Sequence, residues 1–194
     1  RANNPPAPCV QGHYCTGDSE PVQCPVGTWM PFTNASMLTE CLPCSKGFYC
    51  PVSGMTSVIS MPCPLGFYCP SGVKEPLACP AGRTNNKLRS ESIDECEPCP
   101  EGFFCDGLTK DICDDYSMRP QLCEYPYFCP TGSAQPSICP QGFVARNTSG
   151  LRSSESGSCM PCPPGTYKDI GMDQCGQCQA GHICTGGAMR PDPQ

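Results

Sequence analysis

Apolar residues in this chain fall in short clusters rather than in periodic runs. The commonest cluster sets an aromatic pair between a glycine and a cysteine: Gly47-Phe48-Tyr49-Cys50, Gly66-Phe67-Tyr68-Cys69 and Gly102-Phe103-Phe104-Cys105. No window has the spacing of a long helix, and no apolar run approaches the roughly 20 residues of a membrane span. Thr28–Met30 and Thr166–Lys168 suit short strands that follow a turn. The Cys-Pro-x-Gly just before each supplies that turn, because proline fixes φ and glycine allows a tight bend. The polar stretches Ser36–Glu40, Asn85–Glu95 and Ser149–Ser158 read as hairpin loops. The pattern predicts short β-hairpins and loops with little helix.

Such a chain has little with which to build a core. Leu, Ile, Val and Phe together make up about one residue in seven, in the range where chains usually fail to fold by burial alone. In so small a core each aromatic ring supplies a large share of the burial, and the Gly-Phe-Tyr-Cys ring is expected to lie on a disulfide or on a neighbouring backbone. The 25 prolines and 20 glycines punctuate the whole length rather than one linker. What remains is cysteine: 21 residues, about 11% of the chain, a content that marks a disulfide scaffold in an oxidising compartment. The fold class expected is therefore small and disulfide-rich, with many cross-linked modules in place of one core.

The cysteines are set in a recurring frame. Six segments share the spacing Cys-x5-Cys: Cys9–Cys15, Cys44–Cys50, Cys63–Cys69, Cys99–Cys105, Cys123–Cys129 and Cys178–Cys184. Cys-Pro-x-Gly also occurs six times, from Cys24, Cys63, Cys79, Cys99, Cys139 and Cys162. Cys24, Cys41, Cys44 and Cys50 recur as Cys79, Cys96, Cys99 and Cys105, each 55 positions on. A third copy begins at Cys139 and then departs from the spacing. The expected organisation is the tail of a repeat with a Pro-rich flank over 1–23, repeats over 24–78 and 79–138, and a divergent or truncated repeat over 139–194. Units that contact mainly their neighbours stack into a rod.

These residues resemble the cysteine-rich repeats of ephrin receptors, the related growth-factor-receptor (EGF-like) modules, and large surface proteins of protists and algae. Cys162-Pro163-Pro164-Gly165-Thr166-Tyr167 and Cys96-Glu97-Pro98-Cys99-Pro100-Glu101-Gly102-Phe103-Phe104-Cys105 carry the likeness, which covers most of residues 9–184. Tumour-necrosis-factor-receptor modules are a more distant likeness. The segment Cys123–Cys129 departs from the pattern, with Pro126 where glycine is usual. The resemblance implies that the long loops close as Cys24–Cys41, Cys79–Cys96, Cys139–Cys159 and Cys162–Cys175. It also implies a crossed pair, Cys44–Cys63 with Cys50–Cys69. A rival scheme closes the short arms Cys15–Cys24, Cys69–Cys79 and Cys129–Cys139. The two compete for Cys24, Cys79 and Cys139, and sequence alone does not choose between them. The odd count leaves at least one cysteine without an internal partner.

Few residues offer other chemistry. Four Cys-x2-Cys pairs occur: Cys41/Cys44, Cys96/Cys99, Cys159/Cys162 and Cys175/Cys178. Zinc would need two such pairs, and a redox enzyme one exposed pair, and neither accounts for the other thirteen cysteines. His13 and His182 stand in Gly-His-x-Cys, the slot held elsewhere by Phe48, Phe67 and Phe103, and read as planar fillers rather than metal ligands. Asp114-Asp115 lacks the spacing of a calcium loop. No catalytic arrangement and no cofactor is expected. A net charge of −6 lacks the basic footprint of a nucleic-acid binder.

Two sequons, Asn34-Ala35-Ser36 and Asn147-Thr148-Ser149, fall in long loops after Cys-Pro-x-Gly, and N-glycans are expected on Asn34 and Asn147. Pro5-Pro6-Ala7-Pro8 would form polyproline II and is a candidate for O-linked glycans. No signal peptide is visible and residue 1 is Arg, so the chain reads as a processed secreted protein or a piece of a longer one. The function expected is an extracellular structural and interaction module, a glycosylated rod in a surface protein or filament. It would associate with itself or with other extracellular proteins, with no membrane span in this segment. The alternative is a receptor ectodomain that binds a protein ligand along the rod.

Overall fold

A computed structural model describes residues 8–17, 20–107, 120–147 and 149–193. Cys113, Asp114-Asp115 and most of the Pro-rich flank lie outside the described residues. The chain forms two compact units. One takes in Arg1–Pro80, Thr84–Glu97 and Gly107–Arg119, the other Ala81–Arg83, Pro98–Asp106 and Pro120–Gln194.

Both units are built from two-stranded antiparallel hairpins of two or three residues a side. Thr28–Trp29 pairs with Leu42–Pro43, Phe67–Tyr68 with Leu77–Ala78, and Phe103–Phe104 with Gln121–Leu122. Thr166–Tyr167 pairs with Gly176–Gln177, so both strands expected from sequence form, each one residue shorter at its C-terminal end. The fold is small, disulfide-rich and almost without helix, as the clustering of apolar residues implies. The polar loops differ in one respect. Each carries a single helical turn, at Leu38–Glu40, Ile93–Glu95 and Glu155–Ser158. Side-chain oxygens nucleate these turns. Ser92 accepts from the Asp94 N–H, and Glu95 reaches back to the N–H groups of Glu91 and Ser92. That is a capping box, which satisfies donors a helix start otherwise leaves orphaned. Asn85, at the start of one such loop, is buried, and its side chain bonds Phe67 O.

The twenty described cysteines pair as ten disulfides. Six of these close Cys-x5-Cys loops and four close long loops. The long-loop bonds are Cys24–Cys41, Cys79–Cys96, Cys139–Cys159 and Cys162–Cys175. The crossed arrangement is overturned: Cys44 bonds Cys50 and Cys63 bonds Cys69, with Cα atoms 5.9 and 5.8 Å apart. The short arms are not bridged either, because Cys15 bonds Cys9 and Cys129 bonds Cys123. The reason is local. Gly47 and Gly66 sit at φ 75° and 83° and fold the chain back, which brings cysteines only six residues apart within bonding reach.

The core is mostly sulfur. Cys24, Cys44, Cys50, Cys63, Cys69, Cys79, Cys96, Cys99, Cys129 and Cys162 are almost fully buried. Trp29 and Phe48 pack on the cluster around Cys44 and Cys50, and Tyr49 on that around Cys63 and Cys69. The rings thus lie on disulfides, as expected, though among the described residues most stay half-exposed and only Phe67 and Phe128 are buried.

Candidate interaction surface

Successive hairpins dock on each other through backbone hydrogen bonds that recur at equivalent positions. In eight of the hairpins the turn-glycine carbonyl accepts from the N–H of the cysteine that ends the hairpin. Cys24, Cys44, Cys63 and Cys79 donate in this way to Gly12, Gly27, Gly47 and Gly66 in the first unit, at 2.8–2.9 Å. Cys99, Cys123, Cys162 and Cys178 donate to Gly82, Gly102, Gly142 and Gly165 in the second.

Three further bonds join one hairpin to the next. The turn-glycine N–H donates forward: Gly27 to Cys50 O at 2.8 Å, Gly47 to Cys69 O at 2.9 Å, Gly82 to Cys105 O at 2.7 Å and Gly165 to Cys184 O at 2.9 Å. The residue three beyond that glycine donates to the next loop, as Cys50 does to Val73, Cys69 to Ser90 and Cys105 to Ser133. The next loop answers with an N–H to the cysteine three before the glycine. Gly72 donates to Cys44 O, Gly132 to Cys99 O and Gly187 to Cys162 O, at 2.7–2.8 Å. Buried backbone groups need such partners, and here the neighbouring hairpin supplies them.

The docking leaves no room for a side chain at the turn. A Cβ on Gly27 would stand 2.5 Å from Gly72 O, and one on Gly82 2.6 Å from Gly132 O. A Cβ on Gly47 would meet Arg89 O at 2.6 Å. Glycine is required there both for its φ and for the close approach.

Two buried cations repair the steps where this pattern fails. Pro126 occupies a turn-glycine slot, has no N–H, and follows a cis peptide bond. Beside it Arg152, only 4% exposed, donates to Tyr127 O, to Pro126 O at 3.4 Å, to Arg146 O at 2.7 Å and to Ser158 O at 3.1 Å. Its guanidinium also lies over the Tyr125 ring. Ala35 and Ser90 hold the matching position in the other long loops, as the acceptors of the Cys15 and Cys69 N–H groups. The loop closed by Cys162–Cys175 is the shortest of the four. There the Lys168 ammonium, rather than a loop N–H, reaches Cys139 O at 3.0 Å. Nothing in sequence reasoning singled out Arg152 or Lys168: Arg152 stands in a polar loop and Lys168 at the end of an expected strand, and only the step each one fills sets it apart.

The sequence-predicted sites fall as follows. Each Cys-x2-Cys pair is split between two disulfides, for example Cys41 with Cys24 and Cys44 with Cys50. Among the described residues no three His, Cys, Asp or Glu side chains gather as a metal site. His13 and His182 open strands paired with Val22–Gln23 and Asp192–Pro193, the place Phe48, Phe67 and Phe103 hold in their own hairpins. Their Nδ1 atoms lie 3.0 and 3.4 Å from the carbonyls of Gln11 and Ala180. Asn34 and Asn147 are both exposed but are not structurally equivalent. Asn34 has φ 67° and donates its N–H to Cys9 O at 2.8 Å, whereas Asn147 follows the strand Phe143–Ala145 by two residues. Glu40 and Glu95 both have carboxyls held below the usual range. For Glu40 the leading cause is the Ser36 N–H, and for Glu95 the Glu91 N–H.

No protein-family model matches the chain, and no curated protein matches it.

Proposed function

We propose that this chain is an extracellular structural and interaction module: a disulfide-stapled, N-glycosylated rod that belongs to a larger surface protein or filament. Its work is spacing, self-association and resistance to proteolysis rather than catalysis. The observation that carries the reading is the backbone ladder between hairpins. It spends the chain's polar groups on holding one small module to the next, and the ten disulfides pin each module in place. Scaffolds so dense in disulfides belong to oxidising compartments. Among the described residues no helix is long and apolar enough to cross a membrane. Two exposed sequons in loops fit passage through a secretory route. Electron microscopy of native material, together with solution scattering of the purified chain, tests the reading. Isolated rods or filaments are expected. A compact particle with a radius of gyration near the ~16 Å of a globular chain of this length would overturn it.

A further inference from the structure

Phe32 carries the most exposed aromatic ring among the described residues, at 66% exposure, and belongs to none of the four buried clusters. Packing does not ask for a ring there. Fifty-five positions on, the same slot of the repeated loop holds Lys87, which is also exposed. The hairpins on which that loop docks are both in place, with Arg89 O over Gly47 and the Arg89 N–H on Cys63 O. The slot therefore faces solvent even where a hairpin is docked on either side.

What distinguishes the first loop is Asn34, two residues further on. Asn34 is exposed, heads the sequon Asn34-Ala35-Ser36 and holds φ 67°. The chain bends at Phe32–Thr33, and the Cα atoms of residues 32 and 34 lie within roughly 7 Å of each other. One sugar on the asparagine amide covers that span. A pyranose presents a face of C–H groups, polarised by the oxygens around it, and such a face packs on the electron-rich face of an aromatic ring. Ring and sequon go together in this chain. In the next repeat Arg89 takes the place of Asn34, and Lys87 that of Phe32. Asn147, the second sequon, has Ala145 two residues before it and Val144 three before.

We propose that Phe32 is the platform for the first sugar of an N-glycan on Asn34, which lies across the ring and pins the bend between the two residues. The attached sugar thereby becomes part of the module. Asn34 donates its N–H to Cys9 O at 2.8 Å, the Cys15 N–H donates to Ala35 O at 2.9 Å, and Tyr14 bridges to Ala35. A pinned bend steadies all three contacts to the Cys9–Cys15 hairpin. A sugar on Asn147, with no ring in the three residues before it, adds bulk without such a staple. This inference rests on the N-glycosylation reading above.

The test uses the full oxidised chain in two forms. One comes from a eukaryotic secretory host, with each glycan trimmed enzymatically to its first sugar; the other comes from a host without N-glycosylation. The native sequence, Phe32→Tyr and Phe32→Lys are compared in both forms, lysine being the residue at the matching slot. In the native chain and Phe32→Tyr the sugar is expected to slow hydrogen exchange of the Asn34 and Cys15 amides at least threefold. In Phe32→Lys it should leave them unchanged. The Arg146 amide, which bonds Ser158 O beside the second sequon, should not respond in any of them. Proton NMR gives a readout that needs no variant: the Phe32 ring current should move the acetyl methyl signal of the Asn34 sugar upfield of its position in free glycosyl-asparagine. An unshifted methyl signal, no slowing in the native chain, or slowing that survives in Phe32→Lys overturns the platform and leaves Asn34 glycosylated. Mass analysis that finds no sugar on Asn34 overturns the glycosylation reading at that site, and the platform with it.

Discussion

Asn34 and Arg89, 55 residues apart, hold the same left-handed backbone at φ 67° and 65°, and each donates its N–H to the first cysteine of a Cys-x5-Cys loop, Cys9 or Cys63. Neither is glycine, and the conformation persists because the docked loop holds it there. Arg89 adds a contact that Asn34 lacks. Its guanidinium carbon lies 5.0 Å from the centre of the Phe48 ring, a cation–π geometry at a half-exposed site. The repeat therefore keeps the backbone step and varies the side chain.

That variation gives a first prediction. Arg89→Gly relieves the positive φ but removes the ring contact, so the two effects, each about 1 kcal/mol, nearly cancel. Asn34→Gly is expected to stabilise slightly. Denaturation midpoints of the two variants, measured side by side, check this: no shift for Arg89→Gly and a small rise for Asn34→Gly.

Arg152 carries far more. Arg152→Met leaves the part-buried carbonyls of Tyr127 and Arg146 without their donor, while Ser158 O keeps the Arg146 N–H, and is expected to destabilise by about 2–4 kcal/mol. Arg152→Lys should rescue little, since one ammonium cannot serve carbonyls spread around a planar fork. Hydrogen exchange at the Cys129 amide, which bonds Arg152 O, reports the loss locally.

The disulfides should differ in value with loop length. By chain entropy, replacing Cys24 and Cys41 with serine costs about 3 kcal/mol and replacing Cys44 and Cys50 about 2 kcal/mol. Full reduction removes all ten constraints, and near-UV dichroism and protease resistance are expected to go with them. Thermal unfolding of the two double variants and limited proteolysis of the reduced chain are the measurements.

Acid should loosen the capped turns first. Glu95 has its pKa lowered chiefly by the Glu91 N–H, and Glu40 by the Ser36 N–H. A carboxyl whose folded pKa is depressed contributes stability that is present above its unfolded pKa and lost as pH falls through the folded one. Exchange of the Glu91 and Ser92 amides should quicken over that acid window in the native chain. In Glu95→Gln it should be faster at neutral pH and lose most of this pH dependence.

Glycan occupancy should mark both sequons in material from a eukaryotic secretory host, because Asn34 and Asn147 are both exposed. Glycosidase treatment in heavy-oxygen water gives a mass shift at each occupied asparagine. Unmodified peptides at both positions would remove the glycoprotein part of the proposed function.

The hairpins and the absence of long helices were legible in the sequence because they depend on near neighbours. Cys-Pro-x-Gly sets its own turn, and Gly66-Phe67-Tyr68-Cys69 shows a strand start and a buried cysteine within four residues. The long-loop pairs came from a resemblance. The short pairs did not: Cys44–Cys50 against Cys44–Cys63 turns on which cysteine the folded backbone brings within 6 Å, and the spacing admits both. The roles of Arg152 and Lys168 were hidden for a similar reason. Each fills a gap left by a proline or a short loop elsewhere in the chain, and no local pattern records a missing hydrogen bond. Short-range sequence determined the modules, and the docking of one backbone on another, which involves groups every residue carries alike, was decided only in three dimensions.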